Sequence, residues 1–435
     1  MKRIEQVGLI GAIAALSSVP TQAQIVPDDT LGDERSQLTS TRDRDLITNG
    51  AKRGQNLFHS FEQFNIDENR GAYFVVPDSA IQNVLTRITG KDASRLSGTL
   101  GTMQIVNGTP VSSSATLFFI NPNGILFGEN SRLDLGGSFV ATTAQGIQFG
   151  ALGSFDAVNP TSPSPLLTIQ PSAFLFSQLK AGSIENNSIA LAGEDQIGQP
   201  TFGLSVNDGK TLTLLGGNIQ LQGGNLTALD GQIHLAAIAG EGVVSLNPDG
   251  SLNLPSSISR ADIILTNGAI INTAANYGGS ISLNARNIKV INGSSIKSGI
   301  LPELGEMGVQ SGTIALDATG FVQVQNSEII NSTFGKGNAG TIRIRASDRI
   351  LIEGAGTGNT ELLRVIPIIP AIRSRGEIGS IGNAGNIEIT TNALSMLDNA
   401  GLSVSNIGQG NSGNIEAAIA GHMSLDASGF ISLSK

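Results

Sequence analysis

ATLFFINPNGILFGENSRLDLGGSFVATTA, residues 115–144, reads as strand, turn, strand, turn, strand. Thr116 to Ile120 is an apolar run without period-2 alternation, the pattern of a strand buried on both faces. Asn121-Pro122-Asn123-Gly124 breaks it. Pro122 lacks an N–H and suits the second turn position, while Asn123 and Gly124 accept the bridge and left-handed conformations that follow. Ile125 to Phe127 resumes the strand, Gly128-Glu129-Asn130 turns again, and Leu133, Leu135, Phe139 and Val140 are the next expected inward-facing positions. The chain winds round a core in short strands.

The same texture extends upstream. Phe58, Phe61, Phe64, Tyr73 and Phe74 crowd together, and twelve of the sixteen Phe lie between Phe58 and Phe176, which marks a module with a bulkier core. Phe58 to Ile66 has the spacing of a short helix, but the strand that follows, Gly71 to Val76 ended by Pro77, favours strand or irregular structure. Val84 to Thr89 and Gly98 to Ile105 are further β-prone runs, too close together for crossover helices, so they pair as hairpins or wind as coils. Residues 25–55 are polar and irregular and reveal little. Ala157 to Pro165, with three prolines, reads as a loop or seam.

Downstream a repeat emerges. Gly-x-Ile units begin at Gly217, Gly231, Gly279, Gly312, Gly340, Gly385 and Gly413, and each is expected to open a copy. Gly312 to Gly340 and Gly385 to Gly413 are both 28-residue intervals. Within 385–410 the apolar positions are Ile387 and Ile389, Leu394 and Leu397, then Leu402 and Val404, with Asn or Gly at the corners. Three short strands per turn describe a triangular coil of a parallel β-helix. Thr357 to Glu377 is expected as a loop leaving one corner, and roughly fifteen coils would make a rod on the order of 70 Å. Stacked coils need a cap against edge-to-edge aggregation, and the Phe-rich module is the candidate. The carboxyl end stops within a coil, which suggests an incomplete chain.

Composition fits this reading and excludes several functions. Gly is 55 of 435 residues, charged residues are only 14%, and the formal net charge is −9, with no basic stripe for nucleic acid. Cys is absent, so there is no disulfide framework, thiol nucleophile or thiolate metal site. Lys2 and Arg3, the apolar stretch Val7 to Val19 and the small-x-small site Thr21-Gln22-Ala23 read as a signal peptide of residues 1–23, cleaved between Ala23 and Gln24. No later segment reaches the roughly 18 apolar residues of a membrane span. The expected product is secreted.

No catalytic, cofactor-binding or metal-binding constellation stands out. His59, His234 and His422 are far apart, and each reads as a surface or corner residue. Gly376, Gly379 and Gly382 precede no helix pattern and read as a coil corner. The rival class is a polysaccharide lyase or glycosidase, since parallel β-helices also serve those enzymes and need converging carboxylates. Asp348, Arg349 and Glu353 come nearest to such a group, but the usual fate of such charges is a solvated corner. Sparse charge with Asn, Ser and Thr ladders suits an adhesin that meets carbohydrate or another cell-surface ligand, or a structural matrix filament.

Leu117-Phe118-Phe119-Ile120 before Asn121-Pro122-Asn123-Gly124-Ile125, with Leu126-Phe127-Gly128 and Gly137-Ser138-Phe139 after it, resembles the secretion domain of filamentous haemagglutinin-like exoproteins. Gly54 to Phe61, Val84 to Gly90 and Ser94 to Gly98 agree with that domain's other recurrent elements, in order. The resemblance implies two-partner secretion (TPS): Sec-dependent export, recognition of the amino-terminal domain by an Omp85-type outer-membrane transporter (TpsB), and a right-handed parallel β-helix with an amino-terminal capping secretion domain. It divides the chain into a secretion domain at 24–180 and a β-helix repeat region at 181–435. Asn121 to Ile125 would be the secretion motif, either contacting the transporter or only making a tight turn. One departure stands at Val76-Pro77, where many members carry a second Asn-Pro.

Overall fold

The computed structural model describes residues 25–354, 369–426 and 428–434. The leader and its cleavage position, with most of the expected insertion after Thr357, lie outside the described residues. Thr116–Ile120 and Ile125–Phe127 are strands at the expected bounds. Leu117 and Phe119 point into one buried cluster, Phe118 and Ile120 into another. A strand without alternation is therefore a strand with a core on each side.

Thr116–Ile120 is one rung of a parallel ladder. It pairs with Asn83–Ile88 on one side and Phe139–Thr142 on the other. The ladder runs through Asn56–Phe64, Asn83–Ile88, Thr116–Ile120, Phe139–Thr142, Thr211–Gly216, Gln232–Ala237, Ser280–Ala285, Ile314–Ala318, Ile342–Glu353, Ile387–Leu397 and Ile415–Leu425, each parallel to the next. A second ladder includes Ser94–Leu96, Ile125–Phe127, Ile184–Asn186 and Ile219–Gln222. A third includes Gly71–Val75, Thr99–Val106 and Arg132–Asp134, then Asn225–Thr227, Ile270–Asn272 and Ser295–Ile300. Three faces close a parallel β-helix, whose right-handed sense follows from the crossover rule for parallel strands.

The first ladder has eleven rungs among the described residues, about 50 Å of stacked strands rather than the fifteen coils and 70 Å expected. Residues that leave the helix account for the shortfall. Between Thr142 and Ile184 the chain makes Gly146–Gln148, Ser154–Asp156 and Ala173–Phe176, an antiparallel sheet joined by Gly242–Leu246 from a second excursion. This sheet lies over the first face. Residues 157–165, the proline-rich seam, form an irregular loop within it.

Inside, one hydrophobic cluster runs from Ile25 to Val404. Each fully buried Ile or Leu in it contributes roughly 1.5–3 kcal/mol of transfer free energy. At the amino end the cluster contains Phe61, Phe64, Phe74 and Phe119, with ring centroids 5.0 Å apart for Phe61–Phe64 and 5.2 Å for Phe64–Phe119. The leading edge is closed within this domain. Ile25–Pro27 and Ala51–Arg53 pair antiparallel with Asn56–Phe64, and Ser36–Ser40 pairs antiparallel with Arg44–Asn49.

Several sequence expectations shift by one position or one corner. Phe58 to Phe64 is strand, as preferred over a short helix, and Ile66 lies beyond its end in an isolated bridge to Leu96. Val140 faces outward into the second cluster, because its neighbour Phe139 takes the inward position. In the copy at 385 the inward pair is Leu394 and Met396, not Leu394 and Leu397, since a strand repeats every second residue. Gly217 opens a strand of the second face, Ile219–Gln222, whereas the later glycines precede strands of the first. The expected loop from Thr357 ends sooner than Glu377, since Ile369–Arg373 is a rung of the third face with Ala371 and Ile372 buried.

From Gly231 onward these corner glycines stack directly. A Cβ on Gly279, Gly312, Gly340, Gly385 or Gly413 would collide with the carbonyl oxygen of the glycine one coil below. Close backbone approach, rather than φ, requires glycine there.

Candidate functional site

The corner between the first and second faces is built from Asn121, Pro122, Asn123 and Gly124. The Asn121 carbonyl accepts the Gly124 N–H at 3.2 Å, closing the turn, and Gly124 takes φ +126, where a side chain is strained. The Asn121 side chain is completely buried. Its Nδ2 donates to the Asp92 carbonyl and the Ser94 hydroxyl, both at 3.0 Å, and its Oδ1 accepts the Asn123 N–H at 3.0 Å. Pro122, Gly124 and Ile125 are buried as well, so Asn123 is the one exposed side chain of the five. Its Nδ2 donates to the Gly90 carbonyl at 2.8 Å.

The corners of neighbouring coils hold this turn above and below. Ser94 N–H donates to the Gly124 carbonyl at 3.0 Å, Ile125 N–H to Ser183 at 3.0 Å, and Gly182 N–H to Pro122 at 3.2 Å. A Cβ on Gly182 would stand 2.6 Å from the Pro122 oxygen. The sequence motif is thus a stacked corner whose polar atoms are mostly spent inward. Val76-Pro77, at the departure from the family pattern, leads into Asp78, whose carboxylate meets Lys52 Nζ at 2.7 Å.

A second constellation ties the excursion to the helix. Arg87 is only 1% exposed although it sits on the outer side of the first face. Its guanidinium donates to Ser60 Oγ at 2.9 Å, Thr30 Oγ1 at 2.8 Å, and the carbonyls of Asp156 at 2.8 Å and Thr161 at 2.9 Å, and it lies 4.3 Å from the Phe155 ring centroid. Burial pushes its pKa down to about 10, with Asp28 and Asp156 opposing that shift. Asp28 reaches Arg87 through hydroxyls, accepting from Thr30 at 2.6 Å and Ser60 at 2.8 Å. Nearby, Asn56 Nδ2 donates to the carbonyls of Leu167 at 2.8 Å and Ile169 at 2.7 Å, and Asn83 Nδ2 to Asn56 Oδ1 at 2.8 Å. The sequence reading did not single out these residues as a clasp. A charged residue inside the apolar run Val84 to Thr89 was the available signal.

The histidines need correction. Only His422 is exposed; His59 and His234 are buried mid-strand, because strands of the first face have cores on both sides. His59 points into the helix beside Phe74, ring centroids 5.0 Å apart, with Nδ1 2.9 Å from Ser36 Oγ. Burial holds its pKa down at about 3. His234 lies beneath the second excursion with Nε2 2.9 Å from Gln232 Oε1, and burial lowers its pKa to about 4 against the opposing charge of Asp249.

Asp348 and Arg349 stand 4.0 Å apart, both exposed. Arg349 and Glu353 lie four residues apart on one strand, about 13 Å, with the Arg349 guanidinium 5.1 Å from the Phe321 ring centroid. These groups do not converge on one point.

The TPS secretion domain family matches residues 23–283. Among solved structures, the HMW1 secretion domain from Haemophilus influenzae is 16% identical, covers 92% of this chain and 97% of its own length, and superposes with a TM-score of 0.46. The filamentous hemagglutinin secretion domain is 13% identical, covers 93% of this chain and 100% of its own, and has a TM-score of 0.27. No curated protein matches. A family match across more than half of the chain, on a β-helix whose Asn-Pro-Asn-Gly corner and amino-terminal cap are now located, identifies the chain as a member of the TPS secretion-domain family of filamentous haemagglutinin-like exoproteins, which are secreted with a transporter partner.

Proposed function

We propose that this chain is an adhesin-like, non-enzymatic exoprotein whose residues 24–180 are recognised by an Omp85-type outer-membrane transporter. A leader of residues 1–23 directs Sec-dependent export, and cleavage after Ala23 frees the chain into the periplasm. Residues 181–435 extend the same core as a β-helix repeat region at the cell surface. The observation that carries this reading is the TPS secretion-domain match over residues 23–283. Each coil pairs with the next in sequence, so a chain emerging amino end first adds rungs one at a time, and each added rung opposes backsliding. Absence of Cys keeps the threaded chain free of cross-links.

The motif Asn121 to Ile125 serves recognition by presenting Asn123 on a frame that Asn121 holds. Support comes from the burial of every side chain in it except that of Asn123. Producing the chain with and without an Omp85-type partner tests the export reading: surface delivery is expected only with the partner, and equal delivery without it overturns the reading. Asn123→Ala is expected to lower surface delivery at unchanged thermal midpoint, and normal delivery of that variant reduces the motif to a turn.

A further inference from the structure

On the outer side of the third face, near the cap, the strands Arg44–Asn49, Gly71–Val75, Thr99–Val106 and Arg132–Asp134 lie in parallel register. One row across them reads Arg44, Gly71, Thr99, Arg132, and the row two residues on reads Leu46, Tyr73, Gly101, Asp134. Glycine on both sides of Tyr73 is the unusual feature. The ring occupies the space that a Cβ on Gly71 or Gly101 would need, so it lies down along the sheet instead of standing off it. Its hydroxyl donates to Asp134 Oδ2 at 3.1 Å, and the Arg44 guanidinium is 5.9 Å from its centroid. Arg44 and Arg132, three rungs apart at about 14 Å, wall a groove of about 310 Å³ whose corner side carries Asn69 and Asn130.

We propose that this groove binds a carboxylate-bearing sugar, stacked on Tyr73 with its carboxylate on Arg132. The charges decide the ligand class. Arg44 is engaged by Asp43 at 3.2 Å and Arg70 by Asp45 at 2.9 Å, whereas Arg132 has no ion pair among the described residues. A planar guanidinium with its donors free is matched by a carboxylate, which accepts two parallel bonds. A flat aromatic face beside it suits the C–H face of a pyranose, and Asn69, Asn130 and Asp43 offer donors and acceptors for ring hydroxyls. An acidic peptide would satisfy Arg132 but has no use for the ring laid along the glycine floor. The chain's overall charge of −9 disfavours loose attraction of polyanions, so binding here depends on the groove itself.

The inference deepens the adhesin reading by naming a ligand class, but its test needs no export. Titration calorimetry on the purified full chain with a panel of hexuronic-acid and nonulosonic-acid oligosaccharides is compared with their methyl esters. Saturable binding is expected for an acid form, at least about tenfold tighter than for its ester. Arg132→Gln should weaken that binding at least about tenfold at unchanged thermal midpoint, Tyr73→Ala should abolish it, and Tyr73→Phe should keep it within about threefold. Absence of saturable binding across the panel, equal affinity for acid and ester, or an unaffected Arg132→Gln overturns the proposal, and each leaves transporter-dependent surface delivery as a separate result.

Discussion

The coils at the two ends of the rod solve the same packing problem with different side chains. From Asn56 to Thr142 the outward positions of the first face are Phe58, Leu85, Phe118, Ile120 and Val140, and an excursion carrying Phe149, Phe155 and Phe174 covers them. From Ile342 onward the outward positions are Arg343, Arg345, Glu388 and Thr390, and pairs such as Arg343–Glu388 at 2.6 Å face solvent. The first region holds two cores across one sheet, and the second holds one. Sequence texture follows from that: Thr116–Ile120 shows no alternation, while Ile342 to Ala346 alternates strictly. The amino-terminal region adds a fixed covering layer, and the carboxyl-terminal region adds rungs by repetition.

The difference can be broken most severely at Phe58, which packs on Phe149 and Phe155 with centroids 5.7 and 4.8 Å away. Phe58→Ala is expected to cost about 3–5 kcal/mol in urea unfolding and to open residues 157–165 to protease, while parallel-sheet circular dichroism persists. A cost below about 1 kcal/mol would mean that the covering layer is not part of the core. In the repetitive half the counterpart is Gly340→Ala, whose Cβ meets the Gly312 carbonyl. Prying those rungs apart should cost about 1–3 kcal/mol, and a neutral result would show that the glycine stack is not tight.

The two buried histidines sharpen the contrast through pH. Both have folded pKa values depressed below the ordinary 6.5, to about 3 for His59 and about 4 for His234. Between those values and 6.5 the unfolded chain binds the extra protons, so their contribution is present above pH 6.5 and is lost as pH falls. The loss is up to about 1.4 kcal/mol per histidine per pH unit, levelling off below the folded pKa values. Urea unfolding at pH 7.5 and pH 5 should show it, and His59→Phe should flatten the slope. An equal slope in His422→Ala and His59→Phe would assign the effect elsewhere. The smallest effect is expected at Asn123→Ala, within about 0.5 kcal/mol, since its side chain is exposed.

Local signals in the sequence carried well where one strand decides its own environment. Thr116–Ile120, the break at Pro122 and the repeating glycines are read from residue types, because turn conformations and strand periods depend on neighbours in the chain. Residues 25–55 were opaque for the opposite reason: Ile25–Pro27 and Ala51–Arg53 are strands only because Asn56–Phe64 offers them a free edge. Nothing near Arg87 or Asn56 in the chain points to their partners, which lie at 156–161 and 167–169, about 70 and 110 positions away. Tyr73 became notable only once register set Gly101 beside it, so that with Gly71, two residues earlier on its own strand, the ring has room to lie along the sheet.

By itself the sequence determined that this chain winds in short parallel strands, turns at Asn121 to Gly124 and carries a secretion module, since those features lie in contiguous patterns. Only the tertiary structure decided which side of each strand is covered, how many residues leave the coil, and which polar side chains meet across rungs. Stacking brings together residues a whole coil apart, and no periodicity along the chain encodes what an excursion will bury when it folds back.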